Sequence, residues 1–454
     1  MEKVPELEAV FGIEVYASQS LGIGGKIRTF PEDFVVEEML VDGSKASVNP
    51  SDMKALSSGH GRYVVCVLIK KGWDTFAAVR AIAKKVGVDP ERISIAGIKD
   101  ARALTAQHIS LGGVSIERIL RVHLEDASVI PTCFLSDKIS SKVLFGNRFD
   151  ITVRSVNYSA DVVRQRIEET WNMLKVLGGV PNFFGHQRFG TIRPFTHRVG
   201  RCIVKGEFEE AALIFLTESS VHEHRRSARA RERLRETRDY RDCLRFFPRR
   251  LVYERLMMMH LSRYSNDFLG AFRRIPRNLR VFFVQAYQSF LFNRFLSERM
   301  KHGMSLTEAY PGDYVVSLNE KGSPTNSIRK TGPDEASAIN EAISKKEMAV
   351  ALPLIGYNQD ISGGAQGQIE TNILEEEGAK AENFRLKEMP EASAEGGLRN
   401  ALSSILDFSF SVDEDKVDQN SQTIKFRFML HKGSYATVVL KEFMKSADLI
   451  EAGF

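Results

Sequence analysis

Apolar positions along the chain follow two spacings, one of strand-like runs and alternation and one of helical recurrence. Tyr63 to Ile69 (Tyr-Val-Val-Cys-Val-Leu-Ile) is continuously apolar and predicts a central strand buried on both faces. Gly72-Trp73-Asp74-Thr75 then reads as a turn and cap, and Phe76, Val79, Ile82 and Ala83 recur at helical spacing up to Val86. Lys84 and Lys85 fill the last turn of that helix and Gly87 ends it. Upstream, Pro31 stops any helix, and Phe34 to Glu37 is short, extended and β-prone. Downstream, Val143 to Arg154 combines a turn with a period-two strand. Asp161 to Leu177 is an amphipathic helix closed by Gly178-Gly179.

The pattern changes near Lys205 and changes back near Ile405. This predicts a second domain, residues 205–405, inserted into a first domain formed by residues 1–204 and 406–454. Within the insertion, Val281 to Arg294 is a helix apolar on most of its surface, assigned to packing, and Ala349 to Tyr357 is a short buried strand. Ile373 to Ala381 and Asn400 to Leu406 read as helical, and Lys321 to Asp334 and Asp360 to Gly367 as weakly structured turns. The end of the chain returns to strands: Thr423 to Leu430 has period two, and Tyr435 to Phe443 reads as strand running into helix. No internal repeat is present.

Composition adds little to this picture. Hydrophobic residues make up 43% and charged residues 27% of 454 residues, as in an ordinary globular protein with a sizeable core. Cys66, Cys133, Cys202 and Cys243 have no Cys-x-x-Cys spacing and no His/Cys cluster, so they read as reduced and mostly buried, fitting the cytosol. No apolar run approaches the length of a membrane span, and the first residues lack the signature of a signal peptide. Net charge is a mild +5, which matters only where the basic residues gather. They gather between Val221 and Arg255, where twelve arginines face six carboxylates. Opposite charges at helical spacing (Arg229 with Glu232, Glu232 with Arg235, Arg238 with Asp242) allow a solvated helix crossed by ion pairs. The alternative is a helix whose arginines, Arg225, Arg226, Arg229 and Arg231 among them, bind RNA phosphates through the guanidinium fork.

Four stretches carry candidate chemistry. In Ile95-Ala96-Gly97-Ile98-Lys99-Asp100 a short strand signal is followed by a glycine turn and a carboxylate next to a cation. Asp100 is either the N-cap of the segment Ala101 to Gln107 or an exposed nucleophile kept anionic by its neighbour. Phe34, after Pro31-Glu32-Asp33, reads by residue type as core. Val180-Pro181-Asn182-Phe183-Phe184-Gly185-His186-Gln187-Arg188-Phe189-Gly190 is either a packed aromatic loop or a loop in which a ring stacks on an unpaired base while an amide orients it. Tyr435 is, taken alone, a core tyrosine. His186 and His197 have no ligand-spaced partners, so surface or hydrogen-bonding roles fit them better than metal ligation. Gly22-Ile23-Gly24-Gly25 lacks the spacing of a dinucleotide loop.

These stretches share a resemblance. Gly-x-Lys-Asp-x-x-Ala-x-Thr-x-Gln, at Gly97, Lys99, Asp100, Ala103, Thr105 and Gln107, resembles the catalytic motif of the TruD family of tRNA pseudouridine synthases. Pro-Glu-Asp-Phe-Val-Val-Glu-Glu from Pro31 is similar to its N-terminal motif. Gly-Val-Pro-Asn-x-Phe-Gly-x-Gln-Arg-Phe-Gly from Gly179 and Lys-Gly-Ser-Tyr-Ala-Thr-x-Val-Leu from Lys432 are similar to two later ones. Gly146-Asn147-Arg148-Phe149 and the string from Ala286 to Asn293 also look familial. The resemblance implies an α+β pseudouridine synthase fold: a mixed, largely antiparallel sheet flanked by helices, with an inserted α/β domain particular to the family. It implies Asp100 as nucleophile, Arg28 or Lys99 as the cation beside it, and Phe34, Asn182, Phe184 and Tyr435 at the uridine. The expected reaction is conversion of a tRNA uridine, at position 13 by family analogy, to pseudouridine, by a cytoplasmic monomer with no cofactor, no metal and no membrane. The large insertion looks similar to archaeal and eukaryotic members. Two rivals are a non-catalytic RNA-binding protein of the same fold and a base-removing RNA N-glycosidase.

Overall fold

The computed structural model describes residues 4–53, 61–415, 418 and 421–454. Its contacts divide the chain into two compact units, residues 20–175 with 403–454 and residues 1–19 with 176–402.

The first unit is built on eight strands: β1 (Phe34–Leu40), β2 (Tyr63–Lys71), β3 (Ile93–Ile95), β4 (Leu104–Gly112), β5 (Ala127–Leu135), β6 (Leu144–Val156), β7 (Leu406–Glu414) and β8 (Gln422–His431). They are ordered β7-β8-β6-β1-β4-β2-β5, with β3 paired to β4. β1 and β4 run parallel and their other partners are antiparallel, so the sheet is mixed and largely antiparallel as expected. β2 is buried on both faces. Cys66 and Leu68 pack with helix α1 (Thr75–Val86), whereas Val67 and Ile69 pack against Ala46 and Ala106. Asp74 caps α1 by accepting the Ala77 amide, and Gly87 closes it at φ 68°. The C-terminal helix, Ala436–Met444, starts directly after Tyr435 and is buried throughout.

The second unit takes in residues 1–19, expected in the first domain, and its main segment runs from Val176 to Leu402 where the expected insertion runs from 205 to 405. The earlier start follows from packing. Helix Thr196–Lys205 lies against helix α3 (Arg277–Lys301) so closely that a Cβ on Gly200 would fall 2.0 Å from the Phe283 carbonyl oxygen. α3 is the expected buried helix, extended at both ends. An antiparallel four-stranded sheet, in the order 397–400, 348–354, 314–318, 324–330, completes the unit. Three local expectations fail here. Pro324–Lys330 is an exposed edge strand and not a loose turn, the helix expected from Ile373 begins at Gly364, and the helix expected over 400–406 is absent, Gly397–Asn400 being a strand. The last stretch is short, and its apolar residues serve a sheet edge, for which helical spacing is a poor guide. All four cysteines are free thiols, and three of them are buried. No helix among the described residues is long and apolar enough to cross a membrane.

Candidate active site

Asp100 lies in the loop that joins β3 to β4, and no helix follows it. The capping alternative is therefore excluded, since the segment after Asp100 enters a strand. The Asp100 side chain is 42% exposed, and its Oδ2 accepts a hydrogen bond from Arg28 Nη2 at 2.9 Å. The Arg28 side chain is only 6% exposed and has a second anchor, donating from Nη1 to the Gly453 carbonyl at 3.1 Å. Its backbone sits at φ 56°, a left-handed conformation uncommon outside glycine. Burial lowers the Arg28 pKa, and the Asp100 charge and hydrogen bond oppose that shift.

The guanidinium carbon of Arg28 lies 4.0 Å above the centre of the Phe34 ring, whose other contacts include the edge of Phe149. Phe34 is buried. One of its faces is already covered, so the ring supports the arginine instead of offering a bare surface to a base. Lys99, the other cation expected beside Asp100, points away. Its ammonium is buried and hydrogen-bonds Glu38 Oε1 at 2.5 Å, while Glu38 Oε2 accepts the His108 amide at 2.8 Å. Burial pushes the Glu38 carboxyl up, but its hydrogen bonds to His108 and the Lys99 charge outweigh this and hold it below the usual range. Lys99 is thus an interior tie, and its expectation as the cation beside Asp100 at the uridine site is corrected: its ammonium is buried and already neutralised by Glu38. The nearby carboxylates Asp33 and Glu37 are likewise committed, Asp33 to Arg154 and the Phe30 amide, Glu37 to the Val48 amide. Tyr435, in the same unit, is half-buried at the N-cap of the C-terminal helix, not in the core.

In the second unit, the loop with Asn182 and Phe184 is held by two groups that sequence reasoning missed. Arg399 donates to the Asn182 carbonyl at 2.8 Å and to its Oδ1 at 2.6 Å, and its guanidinium lies 4.1 Å over the Phe184 ring. Asn293 on α3 accepts the Phe184 amide at 2.8 Å and donates to the Phe184 carbonyl at 3.1 Å. Asn182 Nδ2 donates to the Asn400 carbonyl at 3.0 Å. The Asn182 amide is therefore engaged on both sides and braces the loop. Phe184 is buried beneath an arginine, as Phe34 is. Asn293 closes the string from Ala286 already assigned to packing; Arg399 carried no signal, because its stretch did not read as a strand. His197 is not at the surface. It stacks on Phe290 at 4.9 Å and meets Phe11 and Phe189 edge-on, and burial drives its pKa down to about 3, leaving it neutral.

The arginine-rich segment folds as helix α2 (Arg225–Thr237) and shorter helices after it. Arg225, Arg226 and Arg229 are exposed, and none forms an ion pair among the described residues. The three expected helical pairs are absent from the ion pairs of the described residues; Asp242 pairs with Arg233 and Arg245. Arg231 is different. It is fully buried and donates to Glu223 at 3.0 Å, Glu254 at 2.7 Å and the carbonyls of Phe215 and Leu216. Its assignment as a phosphate contact is corrected: four internal acceptors saturate its fork, and no part of it reaches solvent.

Fold and geometry together define a class: an α+β protein with a mixed sheet whose β3–β4 loop presents a solvent-reaching carboxylate, Asp100, paired with a buried arginine. Known proteins narrow the class to a family. The family model for tRNA pseudouridine synthase D (TruD) matches residues 10–443. The chain is 38% identical over 444 residues to a probable tRNA pseudouridine synthase D of Methanosarcina barkeri, covering 98% of each. It is 36% identical over 389 residues to the one of Methanopyrus kandleri, covering 86% of this chain and 87% of that relative. The crystal structure of the putative tRNA pseudouridine synthase D of Methanosarcina mazei superposes with a TM-score of 0.82 at 36% identity, covering 99% of this chain and 100% of that one. The chain belongs to the TruD family of tRNA pseudouridine synthases, which are isomerases.

Proposed function

We propose that this protein converts a uridine of tRNA, at position 13, to pseudouridine with Asp100 as the nucleophile. The observation that carries this assignment is the solvent-reaching Asp100 carboxylate paired with the buried Arg28 guanidinium at 2.9 Å. The reaction breaks the C1′–N1 bond, turns the uracil and joins C1′ to C5, so substrate and product are isomers. An anionic oxygen starts it by adding to C1′ or C6, or by taking the C2′ proton to give a glycal. All three routes use an anionic oxygen, and the Arg28 guanidinium lies within hydrogen-bond reach as its counter-charge. No redox partner or group donor enters this scheme, and the chain acts as a cytoplasmic monomer without cofactor or metal.

The target base has to leave its stack, at a cost of a few kcal/mol. Tyr435, half-buried and not in the core, supplies a stacking face that offsets about 1–3 kcal/mol of it. Phe34 and Phe184 act through the arginines that lie on them, Arg28 and Arg399. The inserted part of the chain contributes RNA affinity through the exposed arginines Arg225, Arg226 and Arg229, which form no ion pair among the described residues. The test is incubation with unmodified tRNA transcripts, followed by mapping of pseudouridine and assay of free uracil. Pseudouridine without free base is expected. Free uracil would indicate an N-glycosidase, and binding with neither product would indicate an RNA-binding protein only.

A further inference from the structure

Lys70 stands outside everything assigned so far. It is the first lysine after the apolar run of β2, and it is fully buried. Its ammonium reaches three backbone carbonyls: Trp73 at 2.7 Å, Asp100 at 2.9 Å and Lys99 at 3.4 Å. The same loop is held at other points. Thr75 Oγ1 accepts the Lys99 amide at 3.1 Å, Gln107 Nε2 donates to the Gly97 carbonyl at 3.0 Å, and the Lys99 side chain is tied to Glu38. Of these ties, only Lys70 takes the carbonyl of Asp100 itself, and only Lys70 adds a charge there. An ammonium has three donors, and here three carbonyls receive them.

We propose that Lys70 is the positioning residue of Asp100: its buried ammonium, bridging the carbonyls of Trp73, Lys99 and Asp100, fixes the backbone from which the Asp100 carboxylate reaches Arg28. The Lys99 carbonyl also receives the Thr75 hydroxyl at 3.1 Å, so the donor that matters is the one to the Asp100 carbonyl, whose loss slackens the peptide whose side chain has to meet the ribose. The charge also counts. Burial lowers the Lys70 pKa to about 8, while the Asp100 and Asp74 carboxylates raise it and the Lys99 ammonium lowers it further. Across the sheet, Lys70 is aligned with Thr105 of β4 and Ala127 of β5, neither of them ionisable. At neutral pH the ammonium is therefore mostly charged, and it becomes a neutral amine with two donors as pH rises past about 8. Because the folded pKa lies below the unfolded one, the unfolded chain binds the extra proton between the two values. Deprotonation in that window therefore does not destabilise the protein through this group. The loss of activity is a loss of positioning, not of fold.

The proposal rests on Asp100 as the nucleophile. Wild type, Lys70→Arg, Lys70→Gln and Asp100→Asn are assayed with the full chain and a tRNA transcript, as single-turnover rates from pH 6 to 10 and as kcat and KM at pH 7. The wild-type rate should fall above about pH 8. Lys70→Arg, charged throughout, should remain active and lose that alkaline limb. Lys70→Gln should reduce kcat roughly ten- to hundredfold, as expected for one lost hydrogen bond from a charged donor, with KM little changed. Titration of the RNA is common to all the proteins, so the difference between the profiles carries the result. A limb retained unchanged in Lys70→Arg, or wild-type kcat in Lys70→Gln, would overturn the proposal. If neither variant folds, the Lys70 ammonium is titrated by NMR in the RNA-free wild type: an alkaline midpoint of the rate that coincides with that titration supports the proposal, and a level rate or a midpoint elsewhere overturns it. An active Asp100→Asn would instead remove the nucleophile on which the proposal rests. An inactive Asp100→Asn beside an unaffected Lys70→Gln would remove Lys70 alone.

Discussion

Arg231→Gln separates an internal ion from an RNA contact. Wild-type Arg231 donates to Glu223 at 3.0 Å and Glu254 at 2.7 Å, and both carboxylates have side chains only 8% exposed. Glutamine cannot span both, so at least one buried carboxylate loses its closest cation, together with the donor to the Phe215 and Leu216 carbonyls. Breaking a buried pair costs about 3–5 kcal/mol. Arg193 moderates the loss, with nitrogens 3.5 Å from Glu254 and 3.9 Å from Glu223. Burial and then repulsion by Arg231 lower its pKa to about 10, so removing Arg231 relieves it. The low end, about 3 kcal/mol, is expected, which corresponds to a fall in Tm of roughly 6–12 °C for a body of this size. Thermal melts give the first number. The salt dependence of tRNA binding, measured well below the melt, gives the second. Arg231→Gln should leave the log–log slope unchanged, whereas the triple change of Arg225, Arg226 and Arg229 to Gln should flatten it by about 2–3 with little effect on Tm. An Arg231→Gln protein with wild-type Tm and a slope flattened by about one unit would refute this reasoning.

Three further outcomes are expected. Arg399→Lys, which cannot hold the Asn182 carbonyl and Oδ1 together, should lower kcat roughly tenfold with little change in tRNA affinity, read by single-turnover rates and binding titrations. Tyr435→Ala should lower turnover by about 1–3 kcal/mol of lost stacking while Tm and tRNA Kd stay near wild type; unfolding would return Tyr435 to the core. His197, with a folded pKa near 3, contributes stability that is present above its unfolded value and is lost as pH falls from about 6.5 toward 3, so His197→Phe should show a shallower acid-side decline in Tm.

The sheet was legible because its strands announce themselves: the run from Tyr63 is buried on both faces, and β6 and β8 carry period two. α1 was legible through Asp74 and Gly87, a cap and a stop with direct local causes. The pairing of Arg28 with Asp100 was not visible, because 72 residues separate them and only the sheet order brings them together. Family resemblance identified both positions, but it treated Lys99 and Arg28 as equivalent cations. The choice between them depends on which way each side chain leaves the backbone. Arg231 misled for a related reason. Residue type and helical spacing match its exposed neighbours, and its burial follows from Glu223 and Glu254, one on a turn and one on a later helix. Arg399 and Lys70 had no motif to mark them. A lysine closing an apolar run on a doubly buried strand is the one signal that pointed to Lys70.

The most direct test of the central claim is pseudouridine formation by Asp100→Asn, purified free of deamidated protein. Asparagine keeps the shape and an oxygen that can accept from Arg28 Nη2, so Tm should stay within a few degrees of wild type. The anionic oxygen is gone, so no pseudouridine should form while tRNA binding persists. Turnover of tRNA by this variant at near the wild-type rate would contradict Asp100 as the nucleophile.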